Sequence, residues 1–244
     1  MRNSKQWVLI VLLCFLGVAT QAQTLNDFRC ALKKSYIIGN LDDWPQRIEN
    51  MEKHSDGSFG WAFEVLEARY GLIGYYLGKG ERDQAHEYLD DSQNILDSLL
   101  NRYPNSSKLN SVQAGFYGFH IALSMIKAPV LLPKMKRSLA KAFELNPNEP
   151  RAWLEKGNLA YNRPAAFGGD KQEAIKSYQK ALELFQHEKN YSCNWMIIMV
   201  RALIVKAYYQ TDQQGAYQTA RNKLEEKYGK MNWINDFLKA TIFD

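Results

Sequence analysis

Along most of the chain, apolar residues recur at i, i+3, i+4 and i+7 between short breaks rich in Gly, Pro, Asn and Asp. That is the period of helices with one buried face, and no segment shows the apolar–polar alternation of a half-buried strand. The clearest case is 170–186. Asp170 is placed to cap, Glu173 follows three residues on, and Ala174, Ile175, Tyr178, Ala181, Leu182 and Phe185 form one stripe. A preceding helix from Pro150 to Asn162, with Pro150 in its first turn, turns Trp153, Gly157, Ala160 and Tyr161 inward and pairs with it. The same reading predicts helix pairs near 25–54, 58–102, 107–145, 150–187 and 190–228, and an apolar terminal segment at 231–244 that covers the last pair. The breaks include Gly39-Asn40, Asp56-Gly57, Tyr103-Pro104-Asn105 and Asn146-Pro147-Asn148.

A motif repeats within this pattern: two small residues three apart, then an aromatic. It reads Gly71-Leu-Ile-Gly74-Tyr75, Gly115-Phe-Tyr-Gly118-Phe119, Gly157-Asn-Leu-Ala160-Tyr161 and, loosely, Ile204-Val-Lys-Ala207-Tyr208, with starts 44, 42 and 47 residues apart. A recurrence in this range marks stacked supersecondary units. Glycine inside a helix costs about 1 kcal/mol, so its return at matching positions points to close helix packing. A leucine at Gly74 is accordingly expected to overpack.

The first residues form a separate unit. Arg2 and Lys5 precede an apolar run from Trp7 to Ala19, and Thr20-Gln-Ala22 offers a small-x-small cleavage site. The run is too short to span a bilayer, so 1–22 is predicted to be a secretory signal peptide cleaved after Ala22, leaving 23–244 as a single exported, periplasmic domain with no integral membrane span. Cys14 falls in the discarded segment. Cys30 and Cys193 lie in the first and last units, which in a stacked array do not touch, so two separate buried thiols are expected. The net charge is +5, and loss of Arg2 and Lys5 leaves 29 basic against 26 acidic residues, with no footprint for nucleic acid.

The residues of the fourth pair resemble the tetratricopeptide repeat (TPR) family. Trp153 and Gly157 stand at the bulky and glycine positions of the first helix, Ala174, Tyr178 and Ala181 at the three positions of the second, and Ala142 with Pro147 repeats the end of the unit before. The match is specific over about 135–187. Two connectors exceed the family's usual length, Arg163 to Asp170 and one around Ala128 to Pro133. Together with Asn146-Pro-Asn-Glu-Pro-Arg151, they are similar to exported TPR proteins of Bacteroidetes-type Gram-negative bacteria. The resemblance implies an all-α, TPR-like array of about five antiparallel helix pairs forming a right-handed α-solenoid. It also implies a non-enzymatic envelope protein whose concave face would expose Arg151, Leu154, Asn158 and Asn162. Asn158 matches an asparagine that many peptide-binding members use to grip backbone. Leu154 and Glu155 stand where a carboxylate clamp would carry basic residues.

Catalytic and metal chemistry find little support. His54, His86, His120 and His187 lie in different units, without the close pairs a metal site needs. Asp42-Asp43 and Asp90-Asp91 are adjacent on helices and point about 100° apart, unlike paired catalytic carboxylates. Asp42 is instead expected to cap the helix at Trp44–Met51. The Phe167-Gly-Gly-Asp170 turn lacks a phosphate-loop sequence, and Phe167 is expected to insert between helices. No cofactor is expected. The leading expectation is an adaptor for an envelope protein or peptide, anchored by aromatics such as Trp61, Tyr75, Trp195 and Trp233 where these are exposed. The alternative is a periplasmic small-molecule binder associated with transport, which requires an enclosed apolar pocket between the last helix pairs.

Overall fold

The computed structural model describes residues 24–240, and the expected signal peptide lies outside them. The described residues form eleven α-helices and no strand. These are α1 (Leu25–Ile38), α2 (Trp44–Lys53), α3 (Phe59–Lys79), α4 (Arg82–Arg102), α5 (Ser107–Leu123), α6 (Ala128–Leu145), α7 (Pro150–Asn162), α8 (Lys171–Gln186), α9 (Met196–Tyr209), α10 (Gln214–Tyr228) and α11 (Ile234–Lys239). Consecutive helices pack as the five expected pairs, and α11 lies against α9. Local chemistry sets the ends. Thr24 and Asp27 form a capping box for α1, Ser58 and Ser106 cap α3 and α5, and Asp170 accepts from the amides of Gln172 and Glu173 to cap α8.

The odd-numbered helices α3, α5, α7 and α9 are the inner ones. α3 touches α5, α5 touches α7, and each is buried on several faces. The first glycine of three motifs is closely packed, and at Gly115 the packing is between inner helices. A Cβ on Gly71 would lie 2.6 Å from Trp44 and 2.8 Å from Trp195; on Gly115, 2.7 Å from Glu155 and 2.8 Å from Tyr70; on Gly157, 2.5 Å from Tyr178. The second glycine does something different. At Gly74 and Gly118 an added Cβ would sit 3.8 Å from its nearest neighbour, an ordinary contact, so neither is as tightly packed as the first glycine.

Some local expectations are corrected. The connector around Ala128 to Pro133 is helical, because Pro129 sits in the first turn of α6 and Pro133 removes only one further donor. Asp42 does not cap α2; its carboxylate accepts from the Tyr75 hydroxyl at 2.9 Å and from Lys79 at 3.4 Å. Phe167 does not insert between helices but is 74% exposed, as the turn is held by Arg163 donating to the Gly168 carbonyl instead.

The largest departure concerns the ends of the array, which meet. Tyr36 packs on Trp195 (ring centroids 5.0 Å apart) and Trp233 (5.6 Å), and Trp44 lies edge-on to Trp195 (5.2 Å). Trp233 also donates from Nε1 to the Ile37 carbonyl and covers Gly39, whose φ of 79° and close contact leave no room for a side chain. This aromatic seam brings α1 beside the turn that precedes α9, where Cys30 and Cys193 form a disulfide with Cα atoms 4.5 Å apart. The two thiols are therefore joined, not separate. Neighbour-only contact holds for an open stack, and large aromatics at both ends override it here.

Candidate functional site

The inner helices surround a cavity of about 480 Å³. Its walls come from nearly every unit: Tyr36 of α1, Tyr70 and Tyr75 of α3, Phe119 of α5, Tyr161 of α7, Met199 and Leu203 of α9, and Phe237 of α11. It thus draws on nearly all the helix pairs and is wider than the pocket expected between the last pairs alone. Trp195 and Trp233 line it as well, so the seam that closes the ring is also one wall. The walls are mostly apolar and aromatic, the composition of small-molecule sites, and the volume falls in their usual range.

Glycines make the space. Gly74, Gly78 and Gly118 all line the cavity, and an added Cβ would meet nothing within 4 Å at Gly78. The second small residue of two motifs, Gly74 and Gly118, leaves bare backbone at the cavity wall that Tyr75 and Phe119 also line. A flat apolar ligand gains most from such a surface, since each ring offers a face and each glycine a close approach.

Polar groups are few and placed at the edges. Beneath one wall, Arg151 is 1% exposed, donates to Glu67 at 3.0 Å and to Glu155, and lies 3.8 Å from the Tyr70 ring centre. Burial, partly offset by the Arg151 charge, pushes the Glu67 carboxyl up to about 7. Asn158 links this network to the cavity. It donates to the Tyr70 hydroxyl (3.3 Å) and to Glu155 (3.1 Å) and accepts from the Tyr178 hydroxyl (3.0 Å). At another edge, Lys206 is 4% exposed, donates to the Ala240 carbonyl at 2.5 Å and forms no ion pair among the described residues. Burial, aided by Lys171, pulls its ammonium down to about 8.

The four residues assigned to a concave groove divide. Asn158 and Asn162 line the cavity, Asn162 donating to the Asn158 carbonyl. Arg151 and Leu154 are buried, the first by its ion pairs and the second in the apolar core, so neither forms an exposed surface. Of the proposed aromatic anchors, Tyr75, Trp195 and Trp233 face the cavity and Trp61 is core. Sequence reasoning missed Tyr36, Phe119, Met199 and Lys206. The available signal was the second small residue of the motif, read as packing although it stands a turn away from the first.

A second, more polar cavity of about 410 Å³ lies near the disulfide, but its Arg29 and Glu64 pair with each other, as do Lys108 and Glu188. Among the described residues no three His, Cys, Asp or Glu side chains are grouped to hold a metal ion.

No protein-family model matches the chain, so the tetratricopeptide resemblance rests on the residues quoted above. No curated protein matches it either. Among solved structures it is similar to the HusA haemophore from Porphyromonas gingivalis, with a TM-score of 0.61 and 16% identity over 78% of this chain and 96% of that one. At that identity the likeness is one of fold, and nearly the whole of the haemophore's helical architecture is matched by this chain.

Proposed function

We propose that this protein is an exported carrier that binds a flat, largely apolar organic ligand in the cavity enclosed by α3, α5, α7 and α9, without catalysing a reaction on it. The observation that carries the reading is the bare backbone of Gly74, Gly78 and Gly118 set among aromatic rings. The fold likeness to a haemophore makes a tetrapyrrole the first ligand to test. Lys206 would face an acidic group on the ligand edge, and Asn158 and Asn162 its polar substituents. The envelope location rests on the leader at 1–22. In this reading the helix pairs are a TPR-like array closed into a ring, and the inner face that would grip a peptide in an open array holds a small molecule instead.

The adaptor reading has lost part of the surface it required, since Arg151 and Leu154 are buried. Titration with haem, followed by quenching of tryptophan fluorescence, tests the carrier directly: Trp195 and Trp233 line the cavity and would be quenched in proportion to occupancy. A saturable response at micromolar ligand or below is expected. Absence of quenching with haem, with iron-free protoporphyrin and with other flat acidic ligands would exclude the reading. No histidine lines the cavity, so the iron-free porphyrin is expected to bind within about threefold of haem, through the aromatic walls alone.

A further inference from the structure

Helix α6 and the turn before it present an unusual surface. Ile126 is 87% exposed, Val130 63% and Met125 52%, and Pro129 and Pro133 are exposed beside them. Single exposed apolar residues need no explanation, but this run is contiguous. The same stretch, 124–143, carries Lys127, Lys134, Lys136, Arg137 and Lys141 and no acidic residue, in a chain whose charges are otherwise mixed. Lys127, Lys134, Lys136 and Arg137 are all exposed, and none of the four forms an ion pair among the described residues.

We infer that this corner docks on a bilayer surface carrying anionic phospholipid. The apolar tip at Met125, Ile126 and Val130 would enter the acyl boundary. Lys134 and Arg137 lie about 6 to 10 Å further along the helix axis than Val130, at 1.5 Å per residue. Basic side chains beside an inserted apolar tip can stay among the headgroups. Neutral apolar contact and basic attraction are the two signals a reversible membrane anchor needs. No described helix is long and apolar enough to cross a membrane, so the contact is peripheral.

The position of the patch gives it a use. Met125, Ala128 and Leu132 belong to the same turn and helix and also line the cavity. Docking through Ile126 and Val130 therefore brings this wall of the cavity to the lipid surface, where an apolar ligand partitions. This consequence rests on the carrier reading, whereas the docking does not.

Vesicle flotation tests the docking without any ligand. The chain from Gln23 onward, which contains every described residue and lacks the apolar leader, would be mixed with vesicles of phosphatidylcholine alone or with phosphatidylglycerol. We expect binding to the phosphatidylglycerol vesicles at least about tenfold stronger than to the neutral ones, weakening as salt rises. Ile126→Asp with Val130→Asp should abolish it, and Lys134→Gln with Arg137→Gln should lower it several-fold; these side chains are exposed, and an unchanged circular-dichroism melt would show that the fold is kept. Failure to bind the anionic vesicles overturns the inference. Binding that the aspartate variant retains overturns it equally. Neither result bears on haem titration, so the two readings fail separately.

Discussion

Gly71 and Gly74 stand one turn apart on α3 and both line the cavity, yet their packing differs. Gly71 belongs to the seam, where Trp44 and Trp195 occupy the space a side chain would need. Gly74 belongs to the cavity, where the space is open up to the Phe119 ring. The pattern repeats on α5, where Gly115 is pressed by Tyr70 and Glu155 while at Gly118 an added Cβ would come no nearer than 3.8 Å to Met135. One residue type thus serves two ends. In the seam its lack of a side chain lets helices approach, and in the cavity it leaves room for something else.

The largest effect should come from the covalent part of the seam. Cys30→Ser with Cys193→Ser releases a closure spanning 163 residues, and loss of a native disulfide typically costs about 2 to 5 kcal/mol. A denaturant melt should show it, and reducing agent should reproduce it in the wild type. Next in size are the packed glycines. Gly71→Ala and Gly157→Ala force shifts of buried rings and should destabilise by about 1 to 3 kcal/mol, despite the gain in helix propensity. An unchanged melt for both would mean that these two glycines are not packed as described.

A smaller effect distinguishes the cavity by pH. A ligand acid beside Lys206 would raise the lysine's pKa on binding, so affinity is full below about 8 and falls as pH rises through that value. Linkage limits the fall to about tenfold per pH unit, and Lys206→Met should flatten it. A Kd series across this range reads both. An equally steep fall in the methionine variant would assign the dependence to another group.

Much of this was legible in the chain. The five helix pairs follow from apolar period and punctuation because helix-forming stripes and Gly, Pro and Asn breaks are local signals. The closure of the ring was not legible, since Tyr36, Trp195 and Trp233 meet across most of the sequence and nothing local to any of them records the contact. The disulfide was missed for the same reason. The site was half legible: the motif named Gly74, Gly118 and Tyr75, but its two small positions looked equivalent. Only the packing around each shows that one is filled and the other is not. Arg151 misled because a basic residue at a helix start reads as solvated, whereas Glu67, 84 residues away, draws it into the interior.

The central claim is that the second glycine of the motif exists to admit a ligand. It is tested most directly by measuring haem affinity and thermal stability together in wild type, Gly74→Leu and the Gly74→Leu, Gly118→Leu double variant. The account predicts melting temperatures close to wild type, because glycine leaves the helix interior and the added side chains project into the cavity, with affinity weakened at least about tenfold by each leucine. Unaltered affinity in the double variant would contradict it, and would place any ligand outside the cavity.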